Sequence, residues 1–240
     1  MDMTRFANDR AVGEYIADGI CRIVEQKPNA LICIAAGTTS FPVFDAINAR
    51  VADGRLSLKN AAFIGMDEWI GLPMDADGAM ADFLKTHFLD RAGFRDAFLF
   101  DGMANPESEC TRAEQFIAEH GNFDVIVFGV GVNGHVALNE PGVDPTLRTH
   151  VADVAGVTAN VAQKYFEGDA PPLKKGVTIG IANALEAKKL YVMANSPQKR
   201  PVVEQIIKMV GDGKPTNEVP ASFVIAQPQT EFCVTDDVFA

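Results

Sequence analysis

The chain has 240 residues, a length that suits one large α/β domain or two small ones. Hydrophobic residues make up 48% and charged residues 22%, which excludes a disordered chain and allows a core of useful size. The net charge of −11 argues against a non-specific nucleic-acid binder, yet permits a small anionic ligand held by a helix N-terminus and one or two local cations.

Residues 5–27 place Val12, Ile16, Ile20, Ile23 and Val24 on one face at helical spacing, and Lys27-Pro28-Asn29 ends that helix. Residues 30–36 form a continuous apolar run, as expected of a strand buried on both faces. Gly37-Thr38-Thr39-Ser40 follows directly, and Val43, Phe44, Ile47 and Val51 mark a second amphipathic helix. Residues 61–65 read as a strand, with Asp67-Glu68-Trp69 at its C-terminal end. Helices are predicted over 80–91 and 107–119. Residues 123–130 are the clearest buried strand and run into Gly131-Val132-Asn133-Gly134-His135. Short β segments are expected at 176–182, 189–194 and 222–226, and a helix at 201–210 with Pro201 near its first turn. The stretch 144–175 is the least regular and could form a lid.

Strands alternating with helices predict an α/β fold: an open, mostly parallel, Rossmann-like sheet with helices on both faces and a helical lid segment. One domain over 1–240 is the economical division. The cysteines Cys21, Cys33, Cys110 and Cys233 lack Cys-x-x-Cys spacing, so a zinc site or redox pair is not expected. The N-terminal residues lack a signal-peptide pattern, and no apolar stretch is long enough to span a bilayer. A cytoplasmic protein without a membrane partner is therefore expected.

Three segments could carry chemistry. In Gly37–Ser40, a glycine turn presents backbone N–H groups and three hydroxyls at a helix start, which suits a phosphate. Taken alone, an ordinary helix cap explains it as well. At Asp67-Glu68, two carboxylates close a buried strand, where open α/β sheets collect ligands. A carboxylate held there, partly desolvated, can act as a base, and strand alternation points only one of the pair inward. The third segment, residues 129–142, is the most specific. A glycine-rich turn after the best strand presents His135, with Asn133, Asn139 and Glu140 close by. Histidine passes protons either way near neutrality. His87 and His120 fall on predicted helices and read as structural, while His150 and Trp69 are not assigned a role.

Together these segments resemble the amino-sugar-6-phosphate deaminase/isomerase family. The likeness runs through Gly37-Thr38-Thr39-Ser40, Met66-Asp67-Glu68-Trp69, Gly131-Val132-Asn133-Gly134-His135, Asn139-Glu140-Pro141-Gly142, Ser196-Pro197-Gln198-Lys199 and Pro220-Ala221-Ser222-Phe223. The resemblance implies that Asp67 is a base moving a proton between C2 and C1 of the opened sugar. It implies that His135 opens the pyranose ring, helped by Glu140 and positioned by Asn133. Gly37, Thr38, Thr39, Ser40, Glu68, Gly131, Gly134 and Lys199 are implied substrate contacts, and Lys164 falls near a lid cation. Asn133 stands where the glucosamine enzymes carry Asp. With Trp69, it resembles the galactosamine-6-phosphate branch. The expected reaction is isomerisation and deamination to a ketohexose 6-phosphate, with no metal or organic cofactor, no nucleic-acid partner and a possible homo-oligomer. Two readings compete: lactone hydrolysis of the 6-phosphogluconolactonase type, and a non-catalytic sugar-phosphate binder of the same fold.

Overall fold

The computed structural model describes residues 2–240. Ten strands are present: β1 (Asp2–Phe6), β2 (Leu31–Ile34), β3 (Ala62–Ile64), β4 (Asp67–Trp69), β5 (Asp96–Phe98), β6 (Val125–Gly129), β7 (His150–Asp153), β8 (Lys175–Thr178), β9 (Leu190–Ala194) and β10 (Thr230–Thr235). Seven form one sheet in the order β1-β10-β9-β6-β2-β3-β5. Every pairing in it is parallel. The other three form a small antiparallel sheet, β4-β8-β7.

The central strands are apolar because both faces are covered. Leu31, Cys33, Ile126 and Phe128 point to one side, and Ile32, Ile34, Val125 and Val127 to the other. Helices α1 (Asp9–Gln26), α2 (Phe41–Ala52), α3 (Met80–Leu84) and α4 (Asp90–Ala92) pack on the second side. A π turn, Lys85–Leu89, joins α3 to α4. On the first side lies α5 (Pro106–Glu119), and after α6 (Gly156–Ala162) the chain returns there with α7 (Ile181–Leu185), α8 (Arg200–Gly211) and α9 (Ala221–Ile225). Asparagines start the two long helices α1 and α5: the Asn8 side chain accepts from the Ala11 N–H at 3.0 Å, and Asn105 accepts from Ser108 at 2.9 Å.

Several elements differ from the sequence expectation. The first helix begins at Asp9, because residues 5 and 6 complete β1, which zips onto the C-terminal β10. Periodicity cannot reveal so distant a partner. Residues 222–226, expected as strand, lie in α9 and the turn after it, behind Pro220. A short apolar run is ambiguous between strand and buried helix, and here the helix packs on α8 and α7. The expected strand over 176–182 stops at Thr178 and becomes α7. The irregular stretch 144–175 contains β7 and α6. Strands β5 and β10 were not anticipated. Among the described residues no helix is long and apolar enough to cross a membrane.

The topology positions a site. From β2 the chain moves outward through β3 and β5, whereas β6, β9 and β10 lie on the other side of β2. The loops after β2 and β6 therefore diverge at neighbouring strand ends, which opens a crevice between them.

Candidate active site

A cavity of about 180 Å³ occupies that crevice. Its floor holds Gly37, Thr39, Asp67, Gly131 and His135, and Lys199 enters from the loop after β9. Thr158, Lys164 and Tyr165, from α6 and the turn after it, roof it.

The loop after β2 turns on Gly37, whose φ of 110° lies in the region that favours glycine. A Cβ there would sit 2.8 Å from the Tyr165 hydroxyl. The turn Thr38–Ser40 then leads into α2. Lys199 Nζ donates to Thr39 Oγ1 at 2.9 Å, and Lys164 Nζ donates to Thr38 Oγ1 at 3.1 Å. Lys199 is buried, and desolvation followed by repulsion from Lys164 pulls its pKa down to about 8. Two lysines without a carboxylate partner in the cavity form an unneutralised cationic corner, a setting that would hold a dianion. Ser40 is buried beneath the loop, outside the cavity lining.

Asp67 opens β4 and is 8% exposed. Burial, with a smaller contribution from the Glu68 charge, raises its pKa to about 8. Glu68 points the opposite way, as strand alternation requires. It accepts backbone N–H groups from Trp69, Met80 and Ala81 at 2.9, 3.0 and 2.8 Å. Burial raises its pKa to about 7 against those bonds. The expectation that Glu68 contacts substrate is thus corrected: its carboxylate clasps the start of α3 and helps shape the wall that Met80 and Trp69 present to the cleft.

His135 follows β6 through a tight turn in which Gly134, at φ 87°, packs against Val219 behind the loop rather than facing the cavity. His135 Nδ1 lies 2.7 Å from Asn133 Oδ1, and Asn133 Nδ2 donates to Glu140 Oε2 at 2.8 Å. The Glu140 carboxylate is itself 3.7 Å from Nδ1. Because Asn133 Oδ1 also accepts the His135 backbone N–H at 3.3 Å, the amide presents oxygen to the ring. Nδ1 therefore carries the proton in the neutral imidazole and Nε2 carries the lone pair. Burial lowers the histidine's pKa, Glu140 opposes that, and Lys199 adds to it. Desolvation is the largest of these influences.

Gly131 makes room for the ring. A Cβ at this position would meet three imidazole atoms at 2.2–2.5 Å. Gly131→Ala should therefore swing the imidazole out of place and cost about 100-fold in turnover, with the thermal midpoint little changed. Steady-state kinetics beside a melting curve checks this, and wild-type turnover would show that the ring does not need its present seat.

Of the residues named from sequence, Gly37, Thr39, Asp67, Gly131, His135, Lys164 and Lys199 converge on the cavity. Thr38 stands at its rim, and Asn133 and Glu140 back His135. Sequence reasoning missed Thr158, Tyr165 and Met80. A roof from an irregular stretch carries no motif, and hydroxyls there are common surface residues. Trp69 both walls the cleft and packs with Leu72, Leu138 and Leu173. His87 packs between Phe41 and Phe83, and His120 bonds the Phe116 carbonyl oxygen. Cys33 and Cys233 are buried.

A parallel sheet covered on both faces, with a crevice at diverging strand ends, defines a doubly wound α/β protein with a small-molecule site. A family model described as glucosamine-6-phosphate isomerases/6-phosphogluconolactonase matches residues 5–234. A glucosamine-6-phosphate deaminase of Bacillus velezensis is 31% identical over 229 residues, covering 94% of this chain and 93% of that one. A monomeric glucosamine-6-phosphate deaminase of known structure superposes with a TM-score of 0.92 at 23% identity, over 100% of this chain and 99% of that one. A 6-phosphogluconolactonase from Shewanella baltica superposes at 0.76 and 17%, over 98% and 97%. The chain belongs to the glucosamine-6-phosphate isomerase/6-phosphogluconolactonase family of enzymes.

Proposed function

We propose that this chain isomerises and deaminates a 2-amino-2-deoxyhexose 6-phosphate, giving a ketohexose 6-phosphate and ammonia. One observation carries the reading: a single cleft joins a desolvated carboxylate, an imidazole with a free Nε2 and two lysines. The lysines, with Thr39 and the N–H groups of the Gly37 loop, take the phosphate and anchor C6. Nε2 of His135 accepts the proton of the anomeric hydroxyl and returns it to the ring oxygen as the ring opens. Glu140 and Asn133 hold Nδ1–H through that transfer. Asp67 takes the C2 proton and delivers it to C1, while a proton of the amine passes to O1, leaving a hydroxyl at C1 and an imine at C2. Water adds to the imine and ammonia leaves, so the sum is one water consumed per ammonia released. Such acid–base steps contribute about 10²–10⁴-fold each.

The chain acts as one domain, with residues 144–175 supplying the lid. A cytoplasmic setting, and self-association if any, fit this reading and add nothing to the chemistry. Within the family, Asn133 and Trp69 favour the galactosamine epimer, whose one inverted hydroxyl a few wall residues can read. Ammonia release from galactosamine 6-phosphate and glucosamine 6-phosphate, measured side by side, tests both levels. Faster turnover of the galactosamine substrate is expected, by about tenfold or more. The reverse preference would move the chain to the other branch. Formation of 6-phosphogluconate from its lactone, with no ammonia from either sugar, would replace the proposal with lactone hydrolysis.

A further inference from the structure

The roof of the cleft touches the histidine it covers. Thr158, the third residue of α6, is 7% exposed, and its Oγ1 lies 3.2 Å from His135 Nδ1. Just before the helix, the Ala155 N–H donates to Glu140 Oε1 at 3.4 Å. The far end of the same segment is tied to the loop after β2. Lys164 Nζ donates to Thr38 Oγ1 at 3.1 Å, and the Thr38 N–H donates to the Tyr165 hydroxyl at 3.1 Å. One short segment thus bonds to the imidazole group at one end and to the anion loop at the other.

Nδ1 has one proton and two oxygens within hydrogen-bonding distance. Asn133 Oδ1, at 2.7 Å, is supplied by the histidine's own loop and stays with it. Thr158 Oγ1 comes from the roof, a separate stretch of chain. We propose that Thr158 is a positioning residue for His135: its hydroxyl completes the acceptor pair around Nδ1–H and holds Nε2 toward the substrate only while the roof is closed. The charged groups facing the ring are Glu140, from its own loop, and Lys199, from the loop after β9. An acceptor at Nδ1 favours the imidazolium, as Glu140 does, and opposes burial and Lys199. Loss of that acceptor makes Nε2 a weaker base, so ring opening is confined to the closed state. The step stays balanced, because the proton taken from the anomeric hydroxyl returns to the ring oxygen as the C1–O bond of the ring breaks.

Thr158→Val keeps the branched shape and removes the hydroxyl, and Thr158→Ser keeps the hydroxyl. NMR titration of the histidines in the full chain reads the effect directly, with His135 assigned by its loss in His135→Gln. Thr158→Val should move the His135 midpoint to lower pH by roughly half a unit to one unit, and Thr158→Ser should restore it. The kinetic arm rests on the deaminase reading. In it, kcat on the ring-closed amino-sugar phosphate should fall about tenfold with KM within about twofold. Hydrogen exchange at C2 of a 4,5-dideoxy analogue, which has no hydroxyl placed to close a five- or six-membered ring, should be unchanged. An unmoved midpoint in Thr158→Val, or a midpoint that Thr158→Ser fails to restore, would remove Thr158 from this role. A wild-type chain that releases no ammonia, yet whose His135 midpoint shifts in Thr158→Val, would sink the substrate assignment and leave the positioning role standing.

Discussion

Asp67→Asn should lower ammonia release by at least about 100-fold and should raise the thermal midpoint at pH 8. Both effects come from the same burial. The carboxyl sits in a wall of Trp69, Met80 and Leu138 beside the buried Glu68. Its pKa of about 8 means that folding favours the protonated acid. Between the unfolded value near 4 and the folded value near 8, the folded chain binds more protons than the unfolded one. Stability therefore falls as pH rises through that window, by an amount on the order of a few kcal/mol at its top. The amide never ionises, so it avoids this penalty and loses the base. The wild type should also gain activity with rising pH as Asp67 ionises, with its acidic limb near pH 8 in the free enzyme. Calorimetry at pH 5 and pH 8, with ammonia release followed in parallel, checks the pair of effects. A variant less stable than wild type at pH 8, or one that still turns over, would separate Asp67 from the role given to it.

His135→Gln should cut turnover of the ring-closed substrate by about 10²–10⁴-fold while sparing most of the C2 exchange on the open-chain 4,5-dideoxy analogue. The imidazole and the carboxylate enter the cavity from different strand ends and have separate duties in the proposed sequence. The glutamine amide can fill the seat beside Gly131, but it cannot take a proton and give it back. Burial of the native ring keeps it neutral at rest, which is the form that accepts the anomeric proton. Equal losses on the two substrates would mean that His135 serves the C2 step or the general shape of the cleft, and ring opening would need another group.

Much of the architecture was legible where local pattern and burial coincide. The runs at 30–36 and 123–130 are apolar throughout because helices cover both faces, and they became β2 and β6. The glycine-rich segments after them lie at the point where the strand order diverges, and for that reason they hold the site. What stayed hidden depended on distant partners. Thr230–Thr235 becomes a strand by sitting between β1 and β9. Asp67–Trp69 leaves the main sheet to pair with β8, which no spacing announces. At the site, Asp67 and His135 stood out because titratable groups in glycine- or strand-end settings are conspicuous, whereas Lys199 was named through the family likeness alone. Thr158 did not, since a threonine in an irregular stretch matters only through the ring nitrogen it reaches. Glu68 was named as a substrate contact through the family likeness, whereas strand alternation, already visible in the sequence, turns its carboxylate away from the cleft to the start of α3.

The edge strand β1 has a consequence for how the molecule is made. Its residues are the first described and they pair with residues 231–235. During synthesis this strand must wait, with its hydrogen-bonding edge open, until residues 231–235 have been translated. Arg5 places a charge along it, which discourages pairing with a neighbouring nascent chain in the interval. Replacing Arg5 with an apolar residue would tax production of the protein, through aggregation on the way to the native state, far more than it would disturb the finished enzyme.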